Sequence, residues 1–313
     1  MRAATVTILS AILAGVLTPA YGAPSGAGRW ESRAPMLTQR TEVAGAALGG
    51  KIYVVGGFIP GGVTGAMEEY DVAANTWRTR ASLPLALHHA AMVAVAGRLY
   101  VIGGYGALGG PLNTVFEYDP AQDAWRARAP MTTPRGALTA VVLDGRIYAI
   151  GGVGPGQQDV TTNETYDPAA DRWMPHAPMR TARDHLGAVA VDGLIYVFGG
   201  RVRGQNVAVT EIYDPRASAW RAGAAQPTPR SGYAAAAVRD RIFVMGGELG
   251  RPTTYPENEE YDPRANTWTA RAPMPTPRHG LTAVVVEDRI YVISGGPRPG
   301  GAFSSTNEVY IPD

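Results

Sequence analysis

Apolar residues along this chain fall into short runs rich in Val, Ile, Tyr and Ala, separated by clusters of Gly, Pro, Asp and Asn. Runs of this length and composition, bounded by turn residues, read as β-strands rather than helices. One stretch shows the plan. Residues 136–143 make a first predicted strand, Asp144 and Gly145 a tight hairpin turn, and residues 146–150 a second strand that stops at Gly151 and Gly152. A glycine-rich connection then leads to a third strand at 163–166, a turn at Asp167 and Pro168, and a fourth strand starting at Trp173.

The plan repeats. Tryptophan occurs at 30, 77, 125, 173, 220 and 268 and nowhere else, so the spacing is 47 or 48 residues throughout. Paired glycines end the second strand at 56–57, 103–104, 151–152, 199–200 and 246–247, and Ser294 and Gly295 stand at the sixth position. A Tyr-Asp pair precedes each of the last five tryptophans by seven residues, as at Tyr118 and Asp119, and Tyr310 marks a sixth such site. Four short strands per unit, six times over, predict an all-β, six-bladed β-propeller.

The recurring Ile-Tyr-Val-Val-Gly-Gly, Glu-x-Tyr-Asp-Pro and Asn-x-x-Trp motifs, with their close variants, resemble the kelch repeat from Trp30 to Tyr310. The resemblance implies the propeller fold but no single function, because kelch propellers serve as enzymes, peptide-binding modules and scaffolds. Trp30 begins a fourth strand with no first three before it, and Tyr310 lies in a third strand with no fourth after it. The last blade is therefore expected to be composite, its outer strand at residues 30–34 closing the ring and removing an exposed edge.

Residues 1–22 read as an export signal: a positive start at Arg2, an apolar stretch at 3–17 too short to span a bilayer comfortably, and small residues at Ala20 and Gly22. Residues 23–313 are then one propeller domain, expected to be a secreted or periplasmic monomer without a membrane span. There is no cysteine, which removes disulfides, thiolate nucleophiles and zinc-thiolate sites. It also removes the copper-radical chemistry of kelch enzymes resembling galactose oxidase, which needs a tyrosine crosslinked to cysteine. A net charge of +1 gives no basic surface for nucleic acid.

Arginine recurs ten residues after tryptophan at Arg40, Arg135, Arg183, Arg230 and Arg278, and glutamate two residues before tyrosine at Glu68, Glu164, Glu211, Glu259 and Glu308. Both exceptions, Leu87 and Phe116, fall in one blade, which points to structural ion pairs across each blade. The paired glycines, lacking side chains, are expected to let each arginine reach across the middle strand.

The connections from strand two to three, and from strand four to the next blade, emerge on one face, the natural binding face. Peptide-binding kelch domains use the two residues after that arginine and the residue after the paired glycines. By that resemblance the candidate ligand contacts are Phe58, His88, His89, Tyr105, Asp184, His185, Arg201, Ser231, Glu248 and His279. Phe58 and Tyr105 beside His88 and His89 would face a polar wall of Asp184, His185, Arg201, Ser231 and Glu248, suiting a sugar or short polar peptide. His88, Asp184 and His279 are related by the repeat at about 120° intervals and form a conceivable metal set, but their opposed walls count against it. No metal or cofactor is expected.

The expected function is an exported binding module for a peptide, protein or glycan. The alternatives are a carbohydrate-active enzyme resembling the exported kelch N-acetylneuraminate epimerases, with Glu248 and Arg201 as acid/base group and cation, and a structural envelope or adhesion component.

Overall fold

The computed structural model describes residues 27–248 and 253–313; the expected export signal at 1–22 lies outside them. Among the described residues there are six four-stranded antiparallel sheets, arranged as the blades of a propeller. Blade 1 runs Ala44–Leu48, Lys51–Val55, Met67–Asp71 and Thr76–Arg80 from axis to rim. Blades 2 to 5 repeat the order, beginning with inner strands Ala91–Val95, Thr139–Leu143, Gly187–Val191 and Ala234–Val238. Blade 6 joins Thr282–Val286, Arg289–Ile293 and Asn307–Ile311 to Arg29–Ser32, with Trp30 opposite Tyr310. The composite blade is thus observed, with its outer strand two residues shorter at the C-terminal end than the expected 30–34.

Hydrophobic cores lie between neighbouring blades rather than inside any one of them. Tyr53 and Val55 of blade 1, for instance, pack with Met92, Leu99 and Val101 of blade 2. Second strands such as Arg146–Ile150, buried on both faces from Ile147 onward, are therefore apolar at consecutive positions instead of alternating. Small inner-strand residues let the blades crowd the axis, where a Cβ on Gly187 would stand 2.7 Å from Tyr233.

The periodic tryptophans stitch the blades together. Each indole Nε1–H donates to an alanine carbonyl of the preceding blade: Trp77 to Ala34, Trp125 to Ala81, Trp173 to Ala129, Trp220 to Ala177 and Trp268 to Ala224, all at 2.7–3.0 Å. Trp30 completes the set by donating to Ala272 of blade 5 at 2.8 Å. The same alanines are held a second time, since Asp123 Oδ1 accepts both the Ala81 N–H (2.9 Å) and the Tyr118 hydroxyl (2.5 Å). Asp171, Asn75 and Asn266 repeat that bridge.

The arginine–glutamate pairs form in five blades. Arg135 meets Glu164 at 2.9 Å, Arg183 meets Glu211 at 2.7 Å, Arg230 meets Glu259 at 2.8 Å and Arg278 meets Glu308 at 2.9 Å, and Arg40 pairs with Glu68 in the same way. All five arginines are fully buried. Each crosses the middle strand and donates to its carbonyls or to those just beyond it, as Arg230 does to Val244 O at 2.9 Å. In blade 2, Leu87 is buried in the apolar cluster against which Phe116 packs.

Two expectations are corrected. The first strand expected at 136–143 begins later, at Thr139, so Arg135 lies four residues before it. The paired glycines are needed by the backbone and not by the arginine side chain. A Cβ on Gly103, at φ 63°, would stand 2.4 Å from the Arg135 carbonyl of the next blade, to which Gly104 N–H donates at 2.8 Å. Ser294 is the exception that uses the same contact: at φ 65° its hydroxyl donates to the Arg40 carbonyl at 2.8 Å, where blade 6 meets blade 1.

Candidate functional site: the axial mouth

Two concentric backbone features build the loop face. In every blade the residue after the arginine position bridges the residue after the paired glycines: Thr41 with Phe58, His88 with Tyr105, Gly136 with Val153, Asp184 with Arg201, Ser231 with Glu248 and His279 with Gly296. The two positions singled out from the sequence are therefore held side by side by main-chain hydrogen bonds.

One residue further, Glu42, His89, Ala137, His185, Gly232 and Gly280 all take positive φ, between 50° and 62°. Their amides and carbonyls form a ring around the axis. His89 N–H donates to Glu42 O, Ala137 to His89, His185 to Ala137, Gly232 to His185 and Gly280 to Gly232, at 2.8–3.3 Å, and Val43 N–H closes on Gly280 O at 3.4 Å. The side chains of Glu42, His89 and His185 from this inner ring line the pocket at its mouth.

There they converge. Glu42 Oε2 lies 3.3 Å from His89 Nε2, and the His89 and His185 rings meet edge to face with centroids 4.9 Å apart. Asp184 accepts from His185 and from Arg201 Nε at 3.0 Å, while Arg201 Nη1 stands 3.7 Å from Glu248 Oε1. His279 Nδ1 donates to Gly296 O at 3.1 Å, leaving Nε2 3.6 Å from Glu42. A pocket of about 570 Å³ opens above these groups, walled on one side by Phe58, Ile59 and Phe303.

Burial governs the charges. It pushes the His89 imidazolium well below its ordinary range, and the neighbouring His185, His88 and Arg201 push the same way, so His89 is neutral. Burial would raise the Asp184 carboxyl, but the hydrogen bond from His185 and the charge of Arg201 overcome it and hold Asp184 well below the usual carboxylate range. Burial also pushes the Tyr105 hydroxyl up to about 12.

Of the residues singled out from the sequence, Phe58, His89, His185, Arg201, Glu248 and His279 line this pocket. His88 does not: it stacks between Phe58 (4.0 Å between centroids) and Tyr105 (5.3 Å), extending the aromatic wall behind the lining. Tyr105 lies across Gly136, whose Cβ would stand 2.2 Å from its ring. Asp184 and Ser231 are buried beneath the surface. His88, Asp184 and His279, the symmetry-related trio, are turned to different partners and share no centre. Thr41, Glu42, Ile59 and Phe303 join the lining. Glu42 was legible as an inner-ring position; Ile59 and Phe303 sit in connections of unequal length, where the repeat gives no register.

This architecture defines the class as a kelch-type β-propeller. The chain belongs to the Attractin/LZTR1 beta-propeller family, whose model matches residues 28–222. A second model, described as the KLHDC2/KLHL20/DRC7 Kelch-repeats domain, matches residues 159–296. No curated protein matches the sequence. Among solved structures, one titled "Structure of YjhT" is similar, with a TM-score of 0.76 at 16% identity over 87% of this chain and 95% of that one. At that identity the likeness is one of fold.

Proposed function

We propose that this protein is an exported binding module that takes up a peptide, protein or glycan segment through the axial pocket, and that the inserted group is cationic or rich in hydrogen-bond donors. The observation that carries this reading is the state of Arg201, the one guanidinium among the described pocket-lining residues. It is already engaged by Asp184 at 3.0 Å and faces Glu248 at 3.7 Å. Glu42 and Glu248 then present a carboxylate excess to the opening, which attracts a lysine, arginine or amino-sugar group and repels an anion. Phe58 and Phe303 supply the apolar wall on which a sugar face or an aliphatic stem would lie.

The enzyme alternative, acid/base chemistry on an acidic sugar, asks for a cation available to the sugar carboxylate. Arg201 is spent on Asp184, so that reading has the weaker support.

Glycan and peptide arrays probed with residues 23–313 in chelator-containing buffer test the proposal. Basic peptides or amino-sugar glycans should bind, and Glu248→Gln and Phe58→Ala should each weaken binding roughly tenfold or more, equivalent to about 1.4 kcal/mol. Asp144→Asn and Asp192→Asn, in hairpin turns of the opposite face, should leave it unchanged. Binding confined to anionic glycans, or unaffected by Glu248→Gln and Phe58→Ala, would refute the reading.

A further inference from the structure

The inner ring carries three side chains able to bind a metal, Glu42, His89 and His185, and their donor atoms all lie within 4.8 Å of one another. We infer that these three residues form a site for a divalent transition metal ion at the mouth of the axial channel, with a further coordination position open to the pocket.

The donor chemistry is that of two imidazoles and one carboxylate, a set that takes zinc with three protein ligands and leaves the fourth position for water or another ligand. Two donors on a tetrahedral zinc, each about 2.0–2.1 Å from the ion, stand roughly 3.3 Å apart. Glu42 Oε2 and His89 Nε2 are already at 3.3 Å. His185 offers a donor atom within 4.8 Å of both, and Ala137, which stands between His89 and His185 on the ring, puts no more than a methyl group beside them.

The surroundings of the three donors fit as well. His89 Nδ1 lies 2.5 Å from His88 Nδ1, so its other nitrogen is oriented towards Glu42. Asp184 holds His185 Nδ1, the carboxylate–imidazole arrangement that orients a metal-binding histidine. Arg201 Nη2 stands 2.6 Å and 2.9 Å from the two ring nitrogens of His185. The guanidinium is thus the cation now occupying the carboxylate-lined end of the site, and an arriving metal must displace it. Arg201 is partly exposed, on the two-residue strand Arg201–Val202.

The inference concerns the metal alone and does not depend on the binding-module reading. It is tested without any organic ligand, by calorimetric titration of the untagged protein with Zn²⁺ at neutral pH and by the visible spectrum of its Co²⁺ form. The expected result is one equivalent bound, with intense tetrahedral Co²⁺ bands. His89→Ala, His185→Ala and Glu42→Gln should each weaken binding at least ~10-fold, while His176→Ala, far out in the blades, should not. Arg201→Ala should tighten binding, because it removes the competing cation; a merely electrostatic surface attraction would not distinguish Glu42 from other acids.

Alanine is a safe substitution here, since Ala137 already occupies this ring position at φ 52°. Unchanged melting temperatures would establish that the variants are folded. No saturable Zn²⁺ binding, or binding that survives both histidine substitutions, overturns the inference. Failure of the arrays with metal binding intact would overturn only the binding-module reading, and the converse holds equally.

Discussion

Replacing Arg135 by leucine and Glu164 by phenylalanine, singly and together, tests what the buried ion pairs do. Blade 2 supplies the design, since Leu87 and Phe116 stand at these two positions in the native protein. Arg135 is fully buried, pairs with Glu164 at 2.9 Å and donates to Ala149 O, Gly151 O and Thr162 O at 3.1–3.2 Å. Removing either partner leaves an uncompensated buried charge, at a cost of about 3–5 kcal/mol. At roughly 2 °C per kcal/mol for a chain of this size, each single variant should melt roughly 6–10 °C lower. The double variant leaves no charge behind, and Thr162 O keeps the Gly151 N–H at 2.9 Å. It should therefore recover at least about 2 kcal/mol relative to the sum of the single losses, measured by urea denaturation and calorimetry. Losses that add to within about 0.5 kcal/mol would show that the two side chains act independently, and the pairing argument would fail.

Two further outcomes follow from the blade edges and turns. Deleting residues 29–32 strips the outer strand from blade 6 and bares the edge of Asn307–Ile311, so the protein should melt sharply lower and aggregate on heating; a truncated chain that melts like the parent would refute ring closure by this strand. Hydrogen bonds from the Tyr118 hydroxyl and the Ala81 amide hold the Asp123 carboxyl below its ordinary value, and those from Tyr166 and Ala129 do the same for Asp171. Stability from these groups is present above about pH 4 and lost as pH falls through their lowered folded values. Asn75 and Asn266 fill the same role without titrating, so Asp123→Asn with Asp171→Asn should flatten the acid limb of the stability–pH curve. An unchanged acid limb would mean that other carboxylates set it.

The repeat made the fold legible, because strand, turn, tryptophan and glycine recur in register and each recurrence constrains the others. The missing strands at the two ends even disclosed the closure by Trp30. The ion pairs were legible from one coincidence, the joint loss of Arg and Glu at Leu87 and Phe116. What periodicity does not carry is direction. It placed His88 and His89 on the binding face alike, yet the bridge to Tyr105 turns His88 into an aromatic stack, while positive φ turns His89 to the axis. Nor does it carry partner choice: Arg201 and Asp184 were read as separate contacts, and they are bound to each other. The role of the paired glycines escaped because the carbonyl that the first of each pair admits belongs to the following blade.

The closure of blade 6 makes the order of synthesis matter. Arg29–Ser32 is translated before every blade, yet its partner strand, Asn307–Ile311, is translated after all the others. The two ends meet closely, with Gly28 N–H donating to Asp313 Oδ2 at 2.7 Å across 285 residues. Bringing ends that far apart together costs only about 1.5 kcal/mol more than closing one 48-residue repeat, because loop entropy grows with the logarithm of length. The seam is thus cheap at equilibrium and late in time: until the last strand emerges, a growing chain carries an orphan strand at one end and an open sheet edge at the other. A circular permutant opened at the Asp192 and Gly193 turn, with Asp313 joined to Gly28, would make the blade 6 pairing local and hand the late seam to blade 4, where Leu194–Phe198 would be translated first and its partner Gly187–Val191 last.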